Sequence, residues 1–105
     1  MSRYRVIVHY YVKPGMEEKL KAFLEENLLK AAIELGCEDA EYLRDENDPS
    51  HFIGTGLWES ISVCLDFHSQ WEGLREEVLK MCTKEPVREF YAIDKHYDTK
   101  SIRAA

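Results

Sequence analysis

The segment YRVIVHYYV, Tyr4 to Val12, is apolar at nearly every position, and this feature limits the possible folds more than any other. Its β-branched and aromatic residues and its length predict a β-strand. An antiparallel strand with one face in water alternates between apolar and polar residues. A strand with so few polar positions therefore predicts a sheet that is covered on both faces.

The two faces of this strand differ in character. The more apolar face should meet the helices of the domain, and it comprises Val6, Val8, Tyr10 and Val12. The mixed face suits a partly polar interior or a partner surface, and it comprises Arg5, Ile7, His9 and Tyr11.

The rest of the chain alternates between helical and extended patterns. The predicted elements are a helix over Met16–Glu34, strands over Cys37–Glu46 and His51–Glu59, helical pieces over Ile61–Ser69 and Glu72–Lys84, and a strand over Val87–Tyr97. Ser60 is the expected N-cap of the first helical piece, on which Ile61, Cys64, Leu65 and His68 share one face. The second piece should carry Leu74, Val78, Met81 and Cys82 inward. The final TKSIRAA has no strong order signal. The order β-α-β-β-α-β predicts an α+β ferredoxin-like plait with both helices on one face of the sheet.

Length and charge narrow the function classes. The 105 residues predict one domain over 1–105, with its core at about 4–97. A net charge of −6 argues against nucleic acid, which usually requires a basic patch. The apolar runs are far shorter than the roughly 20 residues of a membrane-spanning helix. We therefore expect no nucleic acid partner, no membrane attachment and a cytoplasmic location.

Cysteine and histidine spacing gives no metal signal. The three cysteines are widely spaced without a CxxC pair, and the four histidines form no HxxxH or HxH motif. The cysteines are expected to be reduced and mostly buried. His51 and His96 are interpreted as ordinary surface residues. GTGLWE is not a dinucleotide fingerprint, since Glu59 occupies the third glycine position of GxGxxG.

The sheet face away from the helices would be largely apolar. It would include Ile7, His9, Tyr11, Ile53, Thr55 and Leu57. Such a patch seldom faces water on a monomer. We expect a homodimer in which the open sheet faces of two copies pack together.

Several short motifs, in this order, resemble the antibiotic biosynthesis monooxygenase family of dimeric α/β barrels. They are YRVIVHYYVKPG, GCEDAEYLRDENDPSHF, LWES and DFHSQ, and the similarity spans about Tyr4 to Tyr97. The resemblance implies a homodimer with a pocket in each subunit between sheet and helices. Members include cofactor-free oxygenases of planar phenols, anthrones or quinols, as well as haem-degrading enzymes and isomerases of small signalling molecules.

Two departures from the family pattern bear on mechanism. Related strands often carry an acidic residue two places before the tryptophan, where this chain has Gly56. The haem-degrading branch uses an asparagine where this chain has Val8, and a tryptophan where it has Phe67. That branch also uses a histidine on the helical segment, and Glu72–Lys84 of this chain contains none. The resemblance therefore favours a cofactor-independent monooxygenase over haem degradation, and we expect no cofactor.

His68 is the candidate catalytic residue, because an imidazole titrates near neutral pH and can accept a phenolic proton. An electron-rich phenolate can pass an electron to oxygen where the neutral phenol cannot. The alternative is a core-edge histidine bonded to a backbone carbonyl. The candidate residues for binding a small hydrophobic or aromatic substrate are Tyr10, Tyr42, Phe52, Gly54, Gly56, Trp58 and Trp71.

HFIGTGLWES places Gly54 and Gly56 on the helix-facing side of the third strand, between Phe52 and Trp58. Either a helix packs closely against these glycines or an open volume lies there, and we favour the cavity. Two other functions stay open. The plait also serves as a non-catalytic ligand-binding or regulatory domain, and an RNA-binding plait is the weakest alternative, since its basic and aromatic motif is absent.

Overall fold

A computed structural model, which describes residues 3–104, confirms the predicted plait. The strands are β1 (Tyr4–Tyr11), β2 (Asp39–Arg44), β3 (His51–Trp58) and β4 (Val87–Ala92). They form one antiparallel sheet in the order β2-β3-β1-β4. Met1, Ser2 and Ala105, which the single-domain prediction includes, lie outside the described residues.

The helices lie in two stretches between the strands and one after them. The first stretch runs through α1 (Glu17–Leu24), a π-helical turn (Glu25–Leu29) and α2 (Lys30–Glu34). The second comprises α3 (Ile61–Gln70), a 3-10 turn (Trp71–Leu74) and α4 (Arg75–Lys80), and α5 (Thr99–Ala104) follows β4. The N-cap prediction is confirmed, because the backbone N–H of Val63 donates to the Ser60 hydroxyl at 3.3 Å.

The hydrophobic core lies between the sheet and these helices. The β1 side chains predicted to face the helices are all buried: Val6, Val8, Tyr10 and the adjoining Val12. From the helices the core receives Leu20, Leu24, Cys64, Phe67 and Val78, among others. We call the helix-covered side of the sheet its inner face and the opposite side its outer face.

One predicted boundary near the C-terminus is wrong, and one helix there was not predicted. β4 ends at Ala92 rather than Tyr97, because within residues 3–104 it pairs with β1 alone, and that register begins at Tyr4 opposite Ala92. The terminal segment, which carried no strong order signal, forms α5. Asp98 stabilises its start by accepting hydrogen bonds from the backbone N–H groups of Lys100 and Ser101 at 3.1 and 3.2 Å.

The end of α4 also differs from the prediction. The helix stops at Lys80 instead of Lys84 because the following residues pair with the end of β1. The backbone N–H of Lys13 donates to the Met81 carbonyl, and Val12 forms an isolated bridge with Cys82. Met81 and Cys82 remain buried, as the sequence predicted.

Among the described helices, none combines the length and the apolar character needed to cross a membrane.

Candidate active site

A cavity of about 210 Å³ lies between the inner face of the sheet and the helices. Most of its wall is apolar, and its lining includes Val6, Val8, Leu24, Leu28, Ala32, Trp58, Phe67 and Trp71. The volume is below the roughly 300–1,000 Å³ of common drug-sized pockets, so the cavity suits a compact ligand. An open volume beside the two β3 glycines is therefore present.

Gly54 and Gly56 line this cavity from the sheet side. A Cβ atom on Gly54 would lie 3.4 Å from the Tyr10 ring and 3.5 Å from the Tyr42 ring, which is ordinary contact. A Cβ atom on Gly56 would lie 3.1 Å from the indole nitrogen of Trp58, which is tight. The missing side chains thus leave room both for the cavity and for the aromatic rings beside it.

Most of the predicted binding residues line the same cavity, with one exception. Tyr10, Tyr42, Trp58 and Trp71 all contribute to the wall. Phe52 does not reach it. Its ring is 1% exposed and packs at 5.0 Å from the Tyr10 ring and 5.6 Å from the Tyr42 ring, so it supports the wall from behind.

His68 lines the cavity from α3 and is 7% exposed. Its ring lies 5.5 Å from Phe90 and 6.0 Å from Trp71, both in edge-on geometry. Its Nδ1 atom is buried and has no hydrogen-bond partner among residues 3–104. The alternative of a histidine held by a backbone carbonyl through Nδ1 is thereby excluded within the described chain.

Burial, together with the smaller effect of the positive charge of Arg88, lowers the pKa of His68 to about 4. The imidazole is therefore neutral near pH 7 and has a lone pair available to accept a proton. Trp71 at the same wall carries a second unpartnered buried group, since its indole N–H finds no acceptor in the described residues. The third such atom among residues 3–104 is the hydroxyl oxygen of Thr55, which is also a residue of the lining. Buried polar atoms without a partner are uncommon, and a bound water or ligand is one explanation for them.

Arg88 supplies a cation close to this pair. Its guanidinium lies 4.3 Å from the centre of the Trp71 ring and within range to lower the pKa of His68. Burial raises the pKa of the Tyr10 hydroxyl, and the charge of Arg88 partly opposes that increase. A cation beside the Trp71 ring would favour an anionic ligand over a neutral one in the adjoining cavity.

The π-helical turn shapes the opposite end of the cavity. Glu25, Leu28 and Leu29 all line it, and Glu25 is close enough to Tyr42 to raise the pKa of that hydroxyl. Burial is the larger cause, and together the two effects bring the pKa of Tyr42 to about 12. Tyr42 thus keeps its proton at neutral pH and can donate a hydrogen bond.

Sequence reasoning missed part of the α3 contribution. It assigned Ile61, Cys64, Leu65 and His68 to one helix face, but Leu65 is 48% exposed. The buried face carries Phe67 instead, whose ring lies 5.5 Å from the Trp58 ring. The spacing of Cys64, Phe67, His68 and Trp71 is equally helical, so Cys64 and His68 were placed on the buried face while Leu65 stood where Phe67 belongs.

The cysteines behave largely as predicted. Cys64 and Cys82 are buried, Cys37 is half-buried at the cavity wall, and all three are free thiols. Burial raises the pKa of the Cys64 thiol to about 11, so it stays protonated and unreactive at neutral pH. Among the residues that the structure describes, no group of three His, Cys, Asp or Glu is arranged to hold a metal ion.

The other histidines lie away from the cavity. His96 is exposed, as predicted. His9 and Tyr11 lie on the outer face, again as predicted. The interpretation of His51 as an ordinary surface residue is wrong, because its side chain is only 14% exposed and hydrogen-bonds to both His9 and Asp45.

The described residues thus form a ferredoxin-like plait with an apolar cavity and a buried histidine at its wall. The family model of the antibiotic biosynthesis monooxygenase domain matches residues 3–77, which include β1 to β3 and α3. The chain belongs to this family. No functionally curated protein matches it.

Solved structures share the fold at low sequence identity. Rv0793 from Mycobacterium tuberculosis is 14% identical with a TM-score of 0.75, covering 91% of this chain and 99% of its own. A conserved protein from Methanosarcina mazei Go1 is 16% identical, with a TM-score of 0.74 and coverages of 87% and 92%. A Bordetella bronchiseptica protein proposed to be an antibiotic biosynthesis monooxygenase is 18% identical, with a TM-score of 0.70 and coverages of 92% and 100%.

The low pKa of His68 predicts a pH-dependent stability. Because the folded value of about 4 lies below the unfolded value of 6.5, the unfolded chain binds more protons between these limits. Stability from this group is therefore complete above pH 6.5 and falls as the pH drops toward 4. Urea unfolding near pH 7 and near pH 5 should show a loss of about 2 kcal/mol from this source.

The variants His68→Gln and His96→Gln isolate that contribution. In His68→Gln, the loss of stability between the two pH values should be smaller than in the wild type by about 2 kcal/mol. His96→Gln, at an exposed site, should keep the wild-type dependence. Equal dependence in all three proteins would show that His68 is not held neutral by its surroundings.

Proposed function

We propose that this protein is a cofactor-independent monooxygenase that acts on a compact aromatic, phenolic or quinol-like compound in the cavity between sheet and helices. The observation that carries the proposal is the buried, unpartnered Nδ1 atom of neutral His68 at the wall of an apolar cavity. Membership of the monooxygenase family supports the general class.

His68 would act as the general base. The phenolic proton of the substrate passes to Nδ1, and the resulting anion is stabilised by the imidazolium and by the nearby Arg88 charge. Ionisation of the ligand also offsets the burial cost that holds the pKa of His68 at about 4 in the empty cavity. Base and cation therefore act on the same proton transfer.

Molecular oxygen is then the only oxidant required. The ionised ring transfers an electron to O₂, and the two radicals combine to form a carbon–oxygen bond. When the reacting carbon carries two hydrogens, one oxygen atom becomes its carbonyl oxygen and the other leaves as water with those hydrogens. Trp71 would donate its free indole N–H to an oxygen of the ligand, while the aromatic wall holds the ring and excludes water.

Oxygen consumption with a panel of quinols, anthrones and flavonoids tests the proposal. The small cavity predicts faster turnover of one- and two-ring substrates than of three-ring ones. His68→Gln should lower kcat by about 100-fold or more, the usual contribution of a general base. His96→Gln is the matched control and should leave turnover unchanged. Wild-type turnover in His68→Gln would remove the assigned role.

A non-catalytic binding module is the second candidate, and the low basicity of His68 in the empty cavity favours it. Saturable binding of a panel compound without oxygen consumption would support this function over the first.

We also propose that the protein is a homodimer joined through the outer faces of two sheets. The outer face combines half-buried Ile7, Ile53 and Leu57 with three of the exposed large apolar side chains, Leu43, Val87 and Tyr91. An apolar surface of this kind is stabilised when a second copy removes it from water.

Light scattering at micromolar concentration should give the mass of two chains. Val87→Glu places a charge on the outer face and should shift the mass toward one chain. Leu65→Glu is the matched control, since Leu65 is 48% exposed, as is Val87, but lies on α3. A mass of one chain in the wild type would contradict the dimer. Dissociation caused equally by both variants would place the interface elsewhere.

A further inference from the structure

Four titratable side chains form a continuous line of hydrogen bonds across the outer face. Asp45 Oδ2 lies 2.8 Å from His51 Nδ1, His51 Nε2 lies 3.0 Å from His9 Nδ1, and His9 Nε2 lies 2.6 Å from Glu89 Oε1. The four residues come from the end of β2, from β3, from β1 and from β4, which is the order of the strands in the sheet. We call this line the tetrad.

The tetrad is complete in only one protonation state. Ionised carboxylates only accept hydrogen bonds, so each end requires an N–H from its imidazole. The contact between the two rings requires one further proton, which either nitrogen can carry. Three protons therefore occupy four ring nitrogens, and the pair of imidazoles carries one positive charge. A fourth proton would set N–H against N–H, and removal of one would leave an acceptor without a donor.

The hydrogen bonds to the imidazoles keep both end groups ionised. The bond from His51 holds the pKa of Asp45 below its usual value, and the bond from His9 does the same for Glu89. Proton uptake or release by the tetrad therefore falls on the ring nitrogens rather than on the two carboxylates.

The charged and titratable neighbours of the tetrad come from several elements. The Tyr11 ring stacks on the His51 ring at 4.9 Å. The Lys84 ammonium lies 3.9 Å from the centre of the Tyr11 ring. The Tyr91 hydroxyl donates to the second oxygen of Glu89 at 3.0 Å, and the carboxylate of Asp48 interacts with His51 from the β2–β3 turn. These contacts fix the rings in parallel planes on the surface where a second copy would pack.

We infer that the tetrad makes self-association of the chain proton-dependent, with the tightest dimer in the state in which the two imidazoles share three protons. This inference rests on the proposed outer-face dimer. The tetrad side chains are 14–36% exposed, so water can still compensate a broken hydrogen bond in the free chain. A covering sheet removes that water, and an unpaired N–H or acceptor then weakens the dimer.

Two measurements on the full-length wild-type chain test the inference across about pH 5 to 8.5, the range in which imidazoles titrate. Nitrogen-15 NMR of the histidine rings counts the protonated nitrogens of His9 and His51, and sedimentation equilibrium gives the dimer Kd. The lowest Kd should coincide with three protonated nitrogens. Uptake of the fourth proton at the acidic end should raise Kd by about tenfold or more.

Variants separate the tetrad from other titrating groups. Glu89→Gln removes one ionised end and should flatten the pH dependence of Kd, while His96→Gln should retain it. A dimer whose Kd does not follow the proton count, or a Glu89→Gln variant with the wild-type response, overturns the inference and leaves the dimer intact. A mass of one chain at every pH overturns the proposed dimer, and the tetrad loses this role with it.

Discussion

β1 pairs antiparallel with both β3 and β4, and this pairing sets which side chains face the helices and which face outward. A strand hydrogen-bonded on both edges cannot shift register by one residue without exchanging its two faces. The register that is observed places Val6, Val8 and Tyr10 in the core and His9 on the outer face. The cavity and the tetrad are thus opposite sides of the same strand, and one register sets the position of both.

The two glycines of β3 acquire their meaning from this register. Gly56 pairs with Val6 and Gly54 with Val8, so the missing side chains lie opposite two small β-branched residues rather than opposite large ones. Rings from Tyr10, Tyr42 and Trp58 occupy part of the freed space. The remainder is the cavity floor. Glycine weakens a strand, and here that cost of stability accompanies a space that a ligand can enter.

Patterns that depend on one segment were predictable from the sequence. The alternation in β1, the cap at Ser60 and the order of the elements gave the plait and its inner face, and the glycine pair located the cavity. Features that depend on tertiary contacts were not predictable. The π-helical turn has no simple residue signature, Arg88 reaches Trp71 only through the fold, and His51 meets His9 across 42 residues. The exposure of Leu65 on α3 shows the same limit, since overlapping helix faces with similar spacing are distinguished only by what packs against them.

In the proposed function, neutral His68 and the indole N–H of Trp71 form the polar end of a ligand cavity. Nitrogen-15 NMR during titration with a compact phenol that does not react with oxygen tests it most directly. We predict that the His68 Nδ1 and Trp71 Nε1 resonances shift together along one saturable curve, while those of His9 and His51 on the outer face stay in place. Saturable binding that leaves both cavity resonances unchanged would contradict the account.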